Sequence, residues 1–110
     1  KAAICSLSKI NGKKWLIMGD MGELGKDAQK YHIEIGDFAK RNKVEKIFLI
    51  SKYSKEIKNN FGDGSYSFLT TSELIEFIKP MITPDVNILI KASRFMKFEV
   101  IVDALSIGKY

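Results

Sequence analysis

The sequence predicts an α/β domain in which a mostly parallel sheet carries helices on both faces. Three observations predict it. Short apolar runs end in turn formers, helical patterns separate those runs, and the runs are continuous where a half-exposed strand would alternate.

Taken in order, Ala2 to Ile10 reads as a helix, with Cys5 on an apolar face beside Ala2 and Ile10. Trp15 to Met18 is the first strand, rich in large apolar residues. Asp27 to Asn42 is the longest helix: Tyr31, Ile35, Phe38 and Ala39 form an apolar stripe, and Lys30, Glu34, Asp37 and Lys40 lie outside it. Lys46 to Ile50 is the second strand, and Ser54 to Phe61 a short helix stopped by Gly62. Tyr66 to Leu69, between Gly64 and the cluster Thr70, Thr71 and Ser72, is a third strand. A helix from Ser72 to Ile82 starts at a capping residue, and Pro80 disturbs its last turn. Val86 to Ile90 is the fourth strand, and Met96 to Ser106 a final helix before Gly108. Trp15, Phe48, Phe77 and Phe98 fall in these patterns as core residues. The alternation implies right-handed crossovers and a three-layer, Rossmann-like domain spanning residues 1–110.

Composition agrees and narrows the function. A chain of 110 residues, 45% hydrophobic and 28% charged, makes one globular domain. Its longest apolar runs fall far short of the roughly 20 residues of a bilayer-spanning helix. Lys9, Lys13 and Lys14 interrupt the first apolar stretch, so no export signal is expected. The single cysteine allows no internal disulfide, as suits a reducing cytoplasm, and one His with one Cys argues against structural zinc. The net charge of +5 comes from lysines scattered along the chain, without the basic run and interleaved aromatics of a nucleic-acid binder. Neither GxGxxG nor GxxxxGK[ST] occurs, which excludes independent nucleotide hydrolysis by that route.

In such sheets ligands sit outside the carboxyl ends of the strands, here Gly19 to Gly25, Ser51 to Ser54, Thr70 to Ser72 and Lys91 to Arg94. The loop Gly19-Asp20-Met21-Gly22-Glu23-Leu24-Gly25 combines three glycines with two carboxylates. It is equally compatible with a flexible turn in which Asp27 caps the helix. Lys91-Ala92-Ser93-Arg94 offers two cations and a hydroxyl before a helix, a combination suited to a carboxylate or phosphate. The competing reading is a solvated turn, with Ser93 as a cap and Lys91 paired to a carboxylate. His32 lies on or beside the inner stripe of the long helix, where a lone histidine is more often a packing residue than a catalyst.

The run Lys14 to Gly25, with His32 and Gly36 in the next helix and Lys91-Ala92-Ser93-Arg94 late in the chain, resembles the carboxyl-terminal domain of the Mur ligases of peptidoglycan synthesis. The likeness is to the branch that adds D-alanyl-D-alanine to a UDP-N-acetylmuramoyl-tripeptide. That branch has Gly-Asp-Met-x-Glu-Leu-Gly after its first strand and Lys-Gly-Ser-Arg after a late one. Gly22 stands where a large apolar residue is usual, and Ala92 where glycine is.

The resemblance implies a three-domain cytoplasmic enzyme that uses ATP and Mg2+ to activate a carboxylate as an acyl phosphate, which the dipeptide amine attacks. ATP and the metal would be bound mainly by the central domain. The 110 residues would hold no cofactor, catalyse nothing alone, and act as a monomer with the amino-terminal and central domains as partners. The substrate-cleft residues carried over are Asp20, Met21, Glu23, Leu24, His32, Lys91, Ser93 and Arg94. No metal ligand and no catalytic group proper is assigned to this stretch. A freestanding α/β ligand-binding or regulatory module is the alternative, since fold alone does not settle function. A structural or partner-binding domain is a third.

Overall fold

The structure is a computed structural model that describes residues 2–21, 25–93 and 96–105. Helix α1 (Ala2–Ser8) leads to β1 (Lys13–Gly19), and α2 (Ala28–Arg41) follows a 3₁₀ turn at Gly25–Asp27. Strand β2 (Lys46–Ile50), α3 (Ser54–Phe61) and β3 (Ser65–Ser67) come next. The chain then forms α4 (Thr71–Ile78), a 3₁₀ turn at Lys79–Met81, β4 (Val86–Lys91) and α5 (Glu99–Leu105). The four strands form one sheet in the order β3-β2-β1-β4, and all three pairings are parallel. From β1 the chain steps outward through β2 to β3, then returns to lay β4 on the other side of β1. The order reverses at β1 and β4.

Alternation along β1 divides the core. Leu16 and Met18 face Ile4, Leu7, Ile35, Ala39 and Ile57 under α1, α2 and α3. Trp15 and Ile17 face Leu74, Ile78, Phe98 and Ile101 under α4 and α5. Both faces of the sheet are covered, which is why β1 and β2 read as unbroken apolar runs.

Several boundaries move for identifiable reasons. Helix α4 begins at Thr71, because Thr70 is the cap: its Oγ1 accepts from Glu73 N–H at 3.2 Å. Glu73 Oε1 reaches back to Leu69 N–H at 3.0 Å, which turns the chain out of β3 and leaves Leu69 88% exposed. Pro80 converts the end of that helix to a 3₁₀ turn. Helix α5 starts at Glu99, not Met96, since Lys97 takes a left-handed φ of 54° that no helix interior admits. The expected last residue of that helix, Ser106, lies outside the described residues.

Three residues expected on inner faces sit elsewhere. Phe77 is 41% exposed and closes an aromatic cluster with Phe48, Tyr66 and Phe68 at the β3 edge. In α1 the buried residues are Ile4 and Leu7; Cys5 is half-buried, and Ile10 is exposed because the helix ends two residues before it. Among the described residues no helix is long and apolar enough to cross a membrane.

Candidate functional site

Strand exits β1, β2 and β4 meet at the carboxyl end of the sheet, and the residue at their centre is Asp20. Its backbone oxygen accepts from Ser93 N–H at 3.1 Å, which ties the exit of β1 to that of β4 across the switch point. Its carboxylate points the other way: Oδ1 accepts from Ser51 Oγ at 2.6 Å and Oδ2 from Lys52 N–H at 3.3 Å, both just past β2. Ser51 is itself fixed. Its Oγ accepts from Tyr53 N–H at 3.0 Å and its carbonyl from Ser54 Oγ at 2.7 Å, so the turn into α3 orients the hydroxyl. The Asp20 side chain stays 19% exposed, and among the described residues its Oδ2 accepts one bond, at 3.3 Å, which leaves lone-pair capacity for a ligand cation.

His32 lies buried beneath this arrangement. The buried stripe of α2 runs Ala28, His32, Ile35, Gly36 and Ala39, with Tyr31 and Phe38 at its flank. The imidazole is fully buried and both ring nitrogens are engaged. Met21 N–H donates to Nε2 at 3.0 Å, so the ring proton belongs on Nδ1, which donates to Ala28 O at 2.5 Å. Asp20 Oδ1 is 3.8 Å from Nε2, beyond hydrogen-bond reach. Tyr53 packs over the ring at 4.9 Å between centroids, and Lys52 lies over Tyr53 in turn. Asp27, expected as a helix cap, makes no capping bond from its side chain.

Lys91 ends β4 in register with Met18, two residues before Asp20. Ser93 does not cap α5, which starts six residues later; its carbonyl instead accepts from Met96 N–H at 3.0 Å. Ala92 packs under α5, and the neighbouring strand makes room for it. A Cβ on Gly19 would come within 2.6 Å of Phe98 Cζ and 3.1 Å of the Ala92 methyl, so the first glycine of the loop is needed for close packing. Gly22, Glu23, Leu24 and Arg94 lie outside the described residues.

Of the expected site residues, the structure therefore brings together Asp20, Met21, His32 and Ser93, with Lys91 on the neighbouring strand end. Ser51, Lys52 and Tyr53 were expected only as part of a strand-exit segment. Their pairing with Asp20 and His32 spans more than 20 residues of chain and leaves no local pattern. Among the described residues no three His, Cys, Asp or Glu groups converge as metal ligands.

Comparison with known proteins identifies the family of the chain. A family model described as Mur ligase, glutamate ligase domain matches residues 1–94. The chain is 38% identical over 106 residues to the UDP-N-acetylmuramoyl-tripeptide--D-alanyl-D-alanine ligase of Buchnera aphidicola from Acyrthosiphon pisum, covering 94% of this chain and 23% of that protein. It is 32% identical over 106 residues to the Escherichia coli K12 protein of the same name, with the same coverage. Among solved structures, MurF from Acinetobacter baumannii superposes with a TM-score of 0.81 at 26% identity, covering 94% of this chain and 24% of that one. The chain thus spans about a quarter of the length of the curated relatives it matches. With the family model matching most of its length and the fold superposing over nearly all of it, the chain belongs to the Mur ligase, glutamate ligase domain family.

Proposed function

We propose that the chain serves as the carboxyl-terminal domain of a cytoplasmic ligase that joins D-alanyl-D-alanine to UDP-N-acetylmuramoyl-tripeptide with ATP. The observation that carries this reading is the meeting of the segments that follow β1 and β4 at the switch point of the sheet, where Asp20 O accepts from Ser93 N–H. Relatives of this name match the chain over nearly its whole length, which supports the same reading.

In the full enzyme ATP would convert the tripeptide carboxyl group to an acyl phosphate with release of ADP, and the dipeptide amine would attack its carbonyl carbon to form the amide and expel inorganic phosphate. The groups at this switch point suit the positioning half of that reaction. Lys91 can hold a carboxylate or phosphate oxygen, and the exposed edge of the Asp20 carboxylate can accept from an ammonium group. Holding both ends of a zwitterionic dipeptide fixes its amine relative to the acyl group, and such positioning is a large part of catalysis in bimolecular reactions. A Mg2+ ion does not fit the described residues: Asp20 is a lone carboxylate with Oδ1 already taken by Ser51. The metal would be held by another domain.

The test is ligation by the full-length gene product. ATP-dependent joining of D-alanyl-D-alanine to the nucleotide tripeptide is expected, with none from the 110 residues alone. A full-length protein that binds these substrates but forms no amide would overturn the reading.

A further inference from the structure

His32 is the one buried polar side chain among the described residues. Its geometry points at the site. One nitrogen is committed to its own helix through Ala28 O, and the other accepts the backbone N–H of Met21, the residue directly after Asp20. The groups that face it are few. Asp20 approaches from the β1 exit and Tyr53 from the β2–α3 turn, with Lys52 behind Tyr53, while Tyr31 meets it edge-on from its own helix.

Packing alone needs no acceptor at Nε2, because a phenyl ring would fill similar space. A buried acceptor aimed at one loop amide does something a phenyl ring cannot: it fixes the direction in which the backbone leaves Asp20. We infer that His32 is a positioning residue for the ligation site, holding Met21 N–H through its Nδ1-protonated ring and thereby setting the start of the glycine loop and the aim of the Asp20 carboxylate. This role rests on the proposed ligase function and deepens it: the side chain acts through the loop, without contact to the dipeptide or the nucleotide. Ser51 and Lys52 hold Asp20 from one side, and His32 holds the next residue from below.

The test uses the full-length ligase with His32→Phe and His32→Gln. Glutamine can place its amide oxygen near the position of Nε2, so it restores an acceptor that phenylalanine lacks. The expected result for His32→Phe is a fall in kcat/KM for D-alanyl-D-alanine of roughly 10- to 100-fold, the scale of a small misplacement of reacting groups. KM for the nucleotide tripeptide should stay unchanged, and His32→Gln should recover most of the loss. Equal losses in both variants that track a loss of thermal stability would assign His32 to packing and overturn the inference, as would a folded His32→Phe enzyme with wild-type kcat/KM.

Should His32→Phe fail to fold, nitrogen-15 NMR of the wild-type chain decides instead. The inference requires a proton on Nδ1 and a bare Nε2 coupled across the hydrogen bond to the Met21 amide. A proton on Nε2 would end it. Failure of the ligase reading is distinguishable, because it would appear as an inactive wild-type enzyme before any variant is made.

Discussion

At the amino ends of the strands, neighbouring segments are tied by main chain and amides. Lys13 N–H donates to Asp85 O at 2.9 Å, Glu45 N–H to Lys14 O at 2.8 Å, and Asn87 Nδ2 to Asn11 O at 2.9 Å. One side-chain pair joins them, Trp15 Nε1–H to Glu45 Oε1. At the carboxyl ends one tie is also main chain, Ser93 N–H to Asp20 O, and the others use a carboxylate, a hydroxyl and an imidazole to link segments up to 32 residues apart. Both ends satisfy their polar groups, so hydrogen bonding as such does not separate them. What differs is whether the tie holds a group that a ligand can use. The amino end spends its bonds on backbone closure, whereas the carboxyl end leaves a part-exposed carboxylate held in a fixed direction. Substitutions at the two ends should therefore divide into those that change rate and those that change stability.

Asp20→Asn should give the largest effect. The amide oxygen can still accept from Ser51, so the fold is expected to survive with little change in Tm, while the charge at the switch point is lost. In the full-length protein, under the ligase function proposed above, kcat/KM for the dipeptide should fall roughly 100-fold. An unaltered rate would erase the distinction between the ends and leave Asp20 as a loop tie only.

Gly12→Ala is the counterpart at the amino end. Gly12 has φ 103°, and a Cβ there would collide with the Asp85 carbonyl oxygen that receives Lys13 N–H. Strain of this kind costs about 1–3 kcal/mol. Thermal or urea unfolding should register that loss, and kcat measured well below the new Tm should match wild type. A variant that keeps its stability but loses activity would mean that the two ends communicate.

The same contrast explains what could be read from the sequence. Strand β2 and helix α3 were legible to the residue, because an apolar run between turn formers and a stripe closed by Gly62 are local signals. The two loops that flank the switch point were legible from glycine content and from position after a strand. Long-range ties were not. The left-handed φ of Lys97, which delays α5, accompanies the seating of Phe98 against Gly19, a contact across nearly 80 residues. The inner stripe of α2 centred on His32 because Met21 N–H supplies a partner for a buried imidazole, and nothing in the helix itself announces that partner. Phe77 sits on the inward side of its helix by spacing, yet β3 is an edge strand only three residues long and does not extend far enough to cover it.

The smallest effect concerns the other carboxylate. Asp85 is fully exposed at the amino end, where the Thr83 hydroxyl donates to Oδ1 and Lys13 adds a favourable charge, so its carboxyl group titrates below the ordinary carboxylate range. A depressed native value means that the ionised form is favoured by folding. The contribution is therefore complete at neutral pH and is lost as pH falls through the native value, when folded and unfolded chains both carry the proton. Being exposed, the carboxylate is screened by solvent, and the stabilisation should be small. Comparing Tm of wild type and Asp85→Asn from pH 7 down to pH 3 should show a slight wild-type advantage that closes at the acid end. Since Thr83 and Lys13 lie at the far end of the sheet from the switch point, kcat should not change at any pH where both variants are folded. A Tm gap that stays constant with pH would show that the Asp85 charge contributes nothing to holding the amino end.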